Sequence, residues 1–169
     1  GKEFVQAMTA VYPQITIVFT NNTGWTGEET YKLLGPFVDG MLEGLGPEAT
    51  LMDGGERGYP LMTHPSFMAL RHLAEASGAG RTAVPELYQG KMRYAFGVWV
   101  DCDPGRYGGW HTEPGGLGKN QKSPERWEHT LYNALSASDG YVWVFTLHPQ
   151  VWWRPEWWGG GQENYARQL

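Results

Sequence analysis

The chain has one cysteine, few cations and no long apolar run, and each shortage excludes something. A lone thiol cannot build an intrachain disulfide framework. Lys and Arg number 13 against 18 Asp and Glu, the net charge is -5, and no basic cluster offsets it. A nucleic-acid surface is therefore not expected. Nothing approaches the ~18 consecutive apolar residues of a membrane span. There is no internal repeat, no HExxH and no CxxC, so a metal ligand set is not expected. The glycine runs Gly115-Gly116-Leu117-Gly118 and Gly159 to Gly161 do not lead a strand into a helix start, which a phosphate loop requires. No nucleotide or other cofactor is expected. The opening GKEFVQAM does not read as a signal peptide, although a mature secreted chain would have lost one. An extracellular or periplasmic location is the working expectation.

What is present is aromatic. Of 169 residues, 41% are hydrophobic and 18% charged, the balance of a globular chain with a sizeable core. Nine Trp, nine Tyr and 24 Gly exceed what one small core needs, and many of the rings sit in glycine-rich stretches. Flat rings on loops serve as ligand platforms. The plainer alternative is that they roof a loosely built core.

The pattern along the chain alternates. Glu3 to Val11 has helical spacing and ends at Pro13; Ile15 to Thr20 is a β-branched apolar strand that stops in Asn21-Asn22-Thr23-Gly24. Thr26 and Glu29 can form a capping box for a helix with Tyr31, Leu34, Val38, Met41, Leu42 and Leu45 on one stripe, kinked or divided at Pro36. Ala49 to Met52 is a second strand, running into Asp53-Gly54-Gly55-Glu56. Pro65 opens a helix expected to stop at Gly78, and Val84 to Lys91 is a weaker helical patch. Tyr94 to Val100 is the third strand, followed by a long loop from 101 to 122. Ser123 as N-cap and Pro124 open a helix carrying Trp127, Leu131, Ala134 and Leu135. Tyr141 to Thr146 is the fourth strand, and a Trp-rich tail follows. Apolar strands alternating with amphipathic helices predict one α/β domain over 1–169, with (βα) repeats and a parallel sheet. Ligands in such folds bind at the carboxyl ends of the strands.

The stretches FVDGMLEGLGPEATLMDGGE, YAFGVWVDCD and SASDGYVWVFTLHPQVWW resemble the second half of a (β/α)8-barrel glycoside hydrolase of the clan A type, as found in bacterial barrels. The resemblance covers most of the chain. It implies half of a TIM barrel, with the four strands as barrel strands five to eight, and a glycan substrate. Clan A enzymes carry an acid/base carboxylate after strand four and a nucleophile after strand seven. On this mapping Asp101 or Asp103 takes the nucleophile's edge, with Glu56 and Asp53 beside it. The strand-four carboxylate has no counterpart in this chain, and the acidic residue expected near Leu147-His148 is missing. Four βα units cannot close an eight-stranded barrel. Two chains could do so, the sheet could stay open, or the missing half could belong to a longer parent; of these a homo-oligomer is expected, on the ground that exposed strand edges are normally covered.

The candidate catalytic residues are Glu56, Asp101 and Asp103. Paired carboxylates about 5 to 9.5 Å apart hydrolyse glycosidic bonds. Asp101 and Asp103 share a face if the strand persists, and close carboxylates raise one another's pKa, which suits an acid paired with a base. They could equally hold a cation, or form an Asp-Pro turn; Glu56 and Asp53 could simply cap or bond loop backbone. The candidate substrate-binding residues are Asp53, Asn21, Trp110, His111, His148, Trp152 and Trp153. The indoles would stack on sugar faces, or else clasp the end of the barrel. His111 (with Glu113 nearby) and His148 are alternatives as metal ligands or proton shuttles. Cys102, between two aspartates, reads as inert packing. The expected function is hydrolysis of glycosidic bonds in a polysaccharide or oligosaccharide. The alternatives are a glycan-binding module derived from a barrel, or a metal-dependent enzyme on the same edge.

Overall fold

A computed structural model of the chain describes residues 1–20, 32–103, 111 and 116–146. Five α-helices and five strands lie within them: α1 (Lys2–Val11), β1 (Thr16–Phe19), α2 (Leu34–Gly44), β2 (Thr50–Asp53), α3 (His64–Arg81), α4 (Pro85–Lys91), β3 (Met92–Tyr94), β4 (Phe96–Trp99), α5 (Pro124–Ala137) and β5 (Val142–Phe145). Short 3-10 turns occupy Glu56–Gly58 and Leu117–Lys119. All the strand pairs are parallel. β1, β2 and β3 form one sheet in that order, and β4 and β5 form another. The architecture is mixed α/β with parallel strands in sequence order. The described residues form no closed barrel.

The third strand is where expectation and structure part. The apolar pattern predicts one strand from Tyr94 to Val100; its ladder instead breaks at Ala95. Met92 to Tyr94 pairs with β2, and Phe96 to Trp99 pairs with β5. The break has a cause in the tertiary structure. Asp139 takes the place of a neighbouring strand at the seam: its Oδ2 accepts the Tyr94 N–H at 2.8 Å, and its own N–H donates to the Tyr94 carbonyl at 2.8 Å. Arg71 of α3 holds that carboxylate through Nη2 at 3.0 Å. On the other side, Ala95 N–H still reaches the Asp53 carbonyl at 2.7 Å, so the two sheets stay joined through this segment.

Two hydrophobic cores follow the two sheets. Val5, Val38, Met41, Leu42, Leu51, Tyr88, Met92 and Tyr94 form the first, under α1, α2 and α4. Phe67, Leu70, Phe96, Val98, Trp127, Ala134 and Ala137 form the second, between β4 and the helices α3 and α5. Helix α3 serves both, with Ala74 in the first and Phe67 and Leu70 in the second. Burying side chains of the size of Phe67 and Phe96 completely stabilises by roughly 1.5–3 kcal/mol each.

Several boundaries differ from the sequence reading. Pro36 does not kink a helix, because α2 starts at Leu34 and places Pro36 in its first turn, where no N–H is needed. Gly78 does not stop α3. The helix runs to Arg81, and Gly78 is the close-approach point of Tyr88, whose hydroxyl would lie 2.0 Å from an added Cβ. In α5 the Ser123 Oγ accepts the Arg126 N–H as expected of an N-cap, but Leu135 is exposed while Thr130 and Ala137 are buried. The stripe is turned because α5 packs against both α3 and β4. β5 is only half-buried, with Val144 45% exposed, since among the described residues it has a neighbour on one side alone. The capping pair Thr26 and Glu29 lies outside the described residues.

Candidate functional site

The carboxyl ends of β2, β4 and β5 converge on four aromatic rings. Parity creates the arrangement. In β4 and β5 the pairs Phe96/Val142 and Val98/Val144 share one face, and Gly97/Trp143 and Trp99/Phe145 share the other. Phe96, Val98 and Val142 go to the second core. The opposite face carries the rings. Tyr59, from the loop after β2, lies over them: it stacks on Phe145 at 5.2 Å and meets Trp143 and Trp99 edge-on at 5.4 and 5.7 Å. Trp99 and Phe145 are themselves edge-to-face at 5.4 Å. All four rings are half-buried.

Glycines make room for this wall. An added Cβ at Gly97 would sit 2.7 Å from Trp143 Cζ2 and 2.9 Å from Tyr59 Cε1, so the two rings lie directly over that backbone. Gly55 has φ of 52°, a left-handed conformation that turns the chain out of β2 and towards Glu56. The polar edges of both indoles are occupied. Trp143 Nε1–H donates to the Gly54 carbonyl at 2.7 Å, and Trp99 Nε1–H donates to Asp101 Oδ1 at 2.6 Å. That fixes the planes of the two indoles within the cluster.

The carboxylates differ in what they do. Asp53 ends β2, is 1% exposed, and accepts the Gly55 N–H at 3.0 Å. Asp101 is 4% exposed and holds the Trp99 indole. Asp103 is half-buried two residues further on. Glu56 is half-buried at the start of the 3-10 turn, beside the ring of Tyr59. Burial first, then the negative charge of Glu56 and its hydrogen bond to the phenol, hold the Tyr59 hydroxyl above the usual tyrosine range. Cys102 is buried, and burial pushes its thiol up; Lys122 opposes this, while Asp101 and Asp103 add to it.

Beneath the wall runs a buried polar segment, Asn120-Gln121-Lys122, in which each residue is less than a tenth exposed. Asn120 pairs with the His111 backbone like a strand neighbour, accepting its N–H at 2.8 Å and donating to its carbonyl at 2.9 Å. Gln121 donates to the Pro60 carbonyl at 3.4 Å. Lys122 Nζ donates to the carbonyls of Tyr59 and Trp99, at 2.5 and 2.8 Å.

Of the candidate residues, Glu56, Asp101, Asp103, Asp53 and His111 are described, and the structure brings Glu56 and Asp101 to the same group of rings. Asn21, Trp110, His148, Trp152 and Trp153 lie outside the described residues. Tyr59, Trp99, Trp143, Phe145 and Lys122 were not singled out from the sequence. For Trp99 and Trp143 a signal existed, since period-two parity in FGVW and VWVF separates ring-bearing from core-bearing positions. Lys122 had no such signal. Among the described residues no group of three or more His, Cys, Asp or Glu could hold a metal ion, and no helix is long and apolar enough to cross a membrane. Comparison with family models, curated proteins and solved structures finds no match for this chain.

Proposed function

We propose that this chain binds a glycan on the wall formed by Tyr59, Trp99, Trp143 and Phe145, with Glu56 at its rim. The observation that carries this reading is the wall itself. Four rings converge at one sheet edge, with both indole N–H groups already bonded to protein acceptors. Such faces suit the C–H surface of a sugar, which they bury at low entropic cost. Glu56 supplies an acceptor for sugar hydroxyls at the same edge. The test is affinity for a panel of soluble hexasaccharides (cello-, xylo-, manno- and chitohexaose) with the wild type and Trp143→Ala. Binding of at least one, weakened about tenfold or more in the variant, supports the reading; ring stacking on this scale is worth 1.4 kcal/mol or more. No binding of any member sinks it.

Hydrolysis is the second reading, favoured by the position of Glu56, Asp101 and Asp103 at the carboxyl edge of parallel strands. This reading assigns acid and base to Glu56 and one aspartate of the pair Asp101 and Asp103. Glu56→Gln would then abolish product release from a bound hexasaccharide while keeping its affinity.

The resemblance to half a barrel also enters here as a proposal, with a second copy as the partner that completes it. Large apolar side chains are exposed at both ends of the strand order: Phe4 and Val11 of α1 and Tyr12 after it at one end, and Tyr132 and Leu135 of α5 with Tyr141 and Val144 at β5 at the other. Analytical ultracentrifugation at micromolar concentration should find a dimer; a monomer there would exclude it.

A further inference from the structure

Lys122 is the largest buried cation among the described residues, 1% exposed, and the glycan-binding reading gives it no contact with ligand. Its surroundings are specific. Its Nζ donates to main-chain carbonyls of two residues whose rings bracket the wall, Tyr59 from the loop after β2 and Trp99 from the end of β4. Those residues are 40 positions apart in the chain, and their rings meet at 5.7 Å. From α5 the face of Trp127 lies 6.0 Å from the ammonium. From the turn after β4 the groups facing it are Asp101 and the thiol of Cys102. Asp101 in turn holds the Trp99 indole. One ammonium therefore ties the backbone of both ring-bearing residues, and its charged neighbour ties one of the rings.

We propose that Lys122 is the positioning residue of the aromatic wall, holding Tyr59 and Trp99 at the separation that a saccharide requires, so that ligand affinity follows the charge of a side chain the ligand never touches. The proposal rests on the wall being the binding surface. Its structural part does not depend on that reading. The ammonium makes charge-assisted bonds, roughly twice the strength of neutral ones, so loss of its proton weakens both ties at once. Burial, against the opposing pull of Cys102 and Asp101, lowers its pKa from 10.5 to about 8, which brings that loss into an accessible range.

The experiment is a pH titration of the full chain from about pH 6 to about pH 10, read by near-ultraviolet circular dichroism and by affinity for the hexasaccharide that binds best. A step with midpoint near 8 is expected in the aromatic signal, with the far-ultraviolet spectrum unchanged. Affinity should fall about tenfold or more across the same step, the scale of one charge-assisted hydrogen bond. Lys122→Met should show no step and bind weakly at every pH. If Lys122→Met does not fold, Lys122→Arg, charged throughout, should also lack the step. A flat wild-type signal, or a step that persists in either variant, overturns the proposal. If no hexasaccharide binds, the glycan reading fails, and the dichroism step still decides whether Lys122 sets the rings.

Discussion

The two ends of the segment Met92 to Trp99 make opposite use of similar residues. At Met92 to Tyr94 the strand is paired with β2, and its buried side chains go to the first core, under helices. At Phe96 to Trp99 the strand is paired with β5, and only one face goes to a core. The other face carries Trp99 and Gly97, and the glycine leaves room for Trp143 and Tyr59. The first region is a buried core of aliphatic side chains with Tyr88 and Tyr94, and Asp53 is turned onto its own backbone. The second presents half-buried rings and the carboxylate of Glu56. The lesson is that an uninterrupted apolar run need not be buried on both sides. What its second face does depends on whether helices or loops lie across it.

The comparison can be broken most severely in the cores. Phe67→Ala, at a fully buried position of the second core, should cost about 3–5 kcal/mol, and Leu42→Ala, in the first, about 2–5 kcal/mol. Because α3 and the segment 92–99 belong to both regions, each variant should unfold in a single transition, seen by denaturant titration with far- and near-ultraviolet probes coinciding. Separate transitions would show two independent units instead.

A pH experiment addresses the ring-bearing region alone. The folded pKa of Lys122 lies below its ordinary value, 10.5 lowered to about 8. Between these values the unfolded chain binds the extra proton, so the contribution of this residue to stability rises with pH across that window. Below about pH 8 the buried charge costs on the order of 3 kcal/mol, and the cost fades towards pH 10.5. Denaturation midpoints of the wild type should therefore rise relative to those of Lys122→Met over the window. Parallel pH profiles would assign the lysine no buried charge.

The seam gives the smallest effect. Asp139→Ala removes the carboxylate that accepts the Tyr94 N–H and pairs with Arg71, and should cost roughly 2 kcal/mol by urea titration. Hydrogen exchange of the Tyr94 amide should quicken more than that of Val98 if the seam, and not the whole sheet, is loosened.

Much of the fold was legible beforehand. The order of helices and strands, the parallel pairing, the Ser123 cap and the buried stripe Val38, Met41, Leu42, Leu45 all follow from period and from cap chemistry. The break at Ala95 was not legible, because it depends on Asp139, which sits 44 residues later and supplies its carboxylate in place of a strand. Of the site, Glu56 and Asp101 were marked from their place after strands, a rule that needs only local pattern. The rings were missed because Trp99 and Trp143 sit in apolar runs, where one aromatic among valines reads as core. Lys122 was missed for a physical reason: a buried lysine is recognisable only by the carbonyls that hold it, and those belong to Tyr59 and Trp99, far away in the chain.

The most direct test of the wall is a proton–nitrogen spectrum of the indole Nε1–H groups during titration with a binding hexasaccharide. If the rings form the binding surface, the resonances of Trp99 and Trp143, assigned by single substitution, shift together and saturate with the same affinity. Saturating shifts confined to other indoles, with these two unmoved, would contradict it.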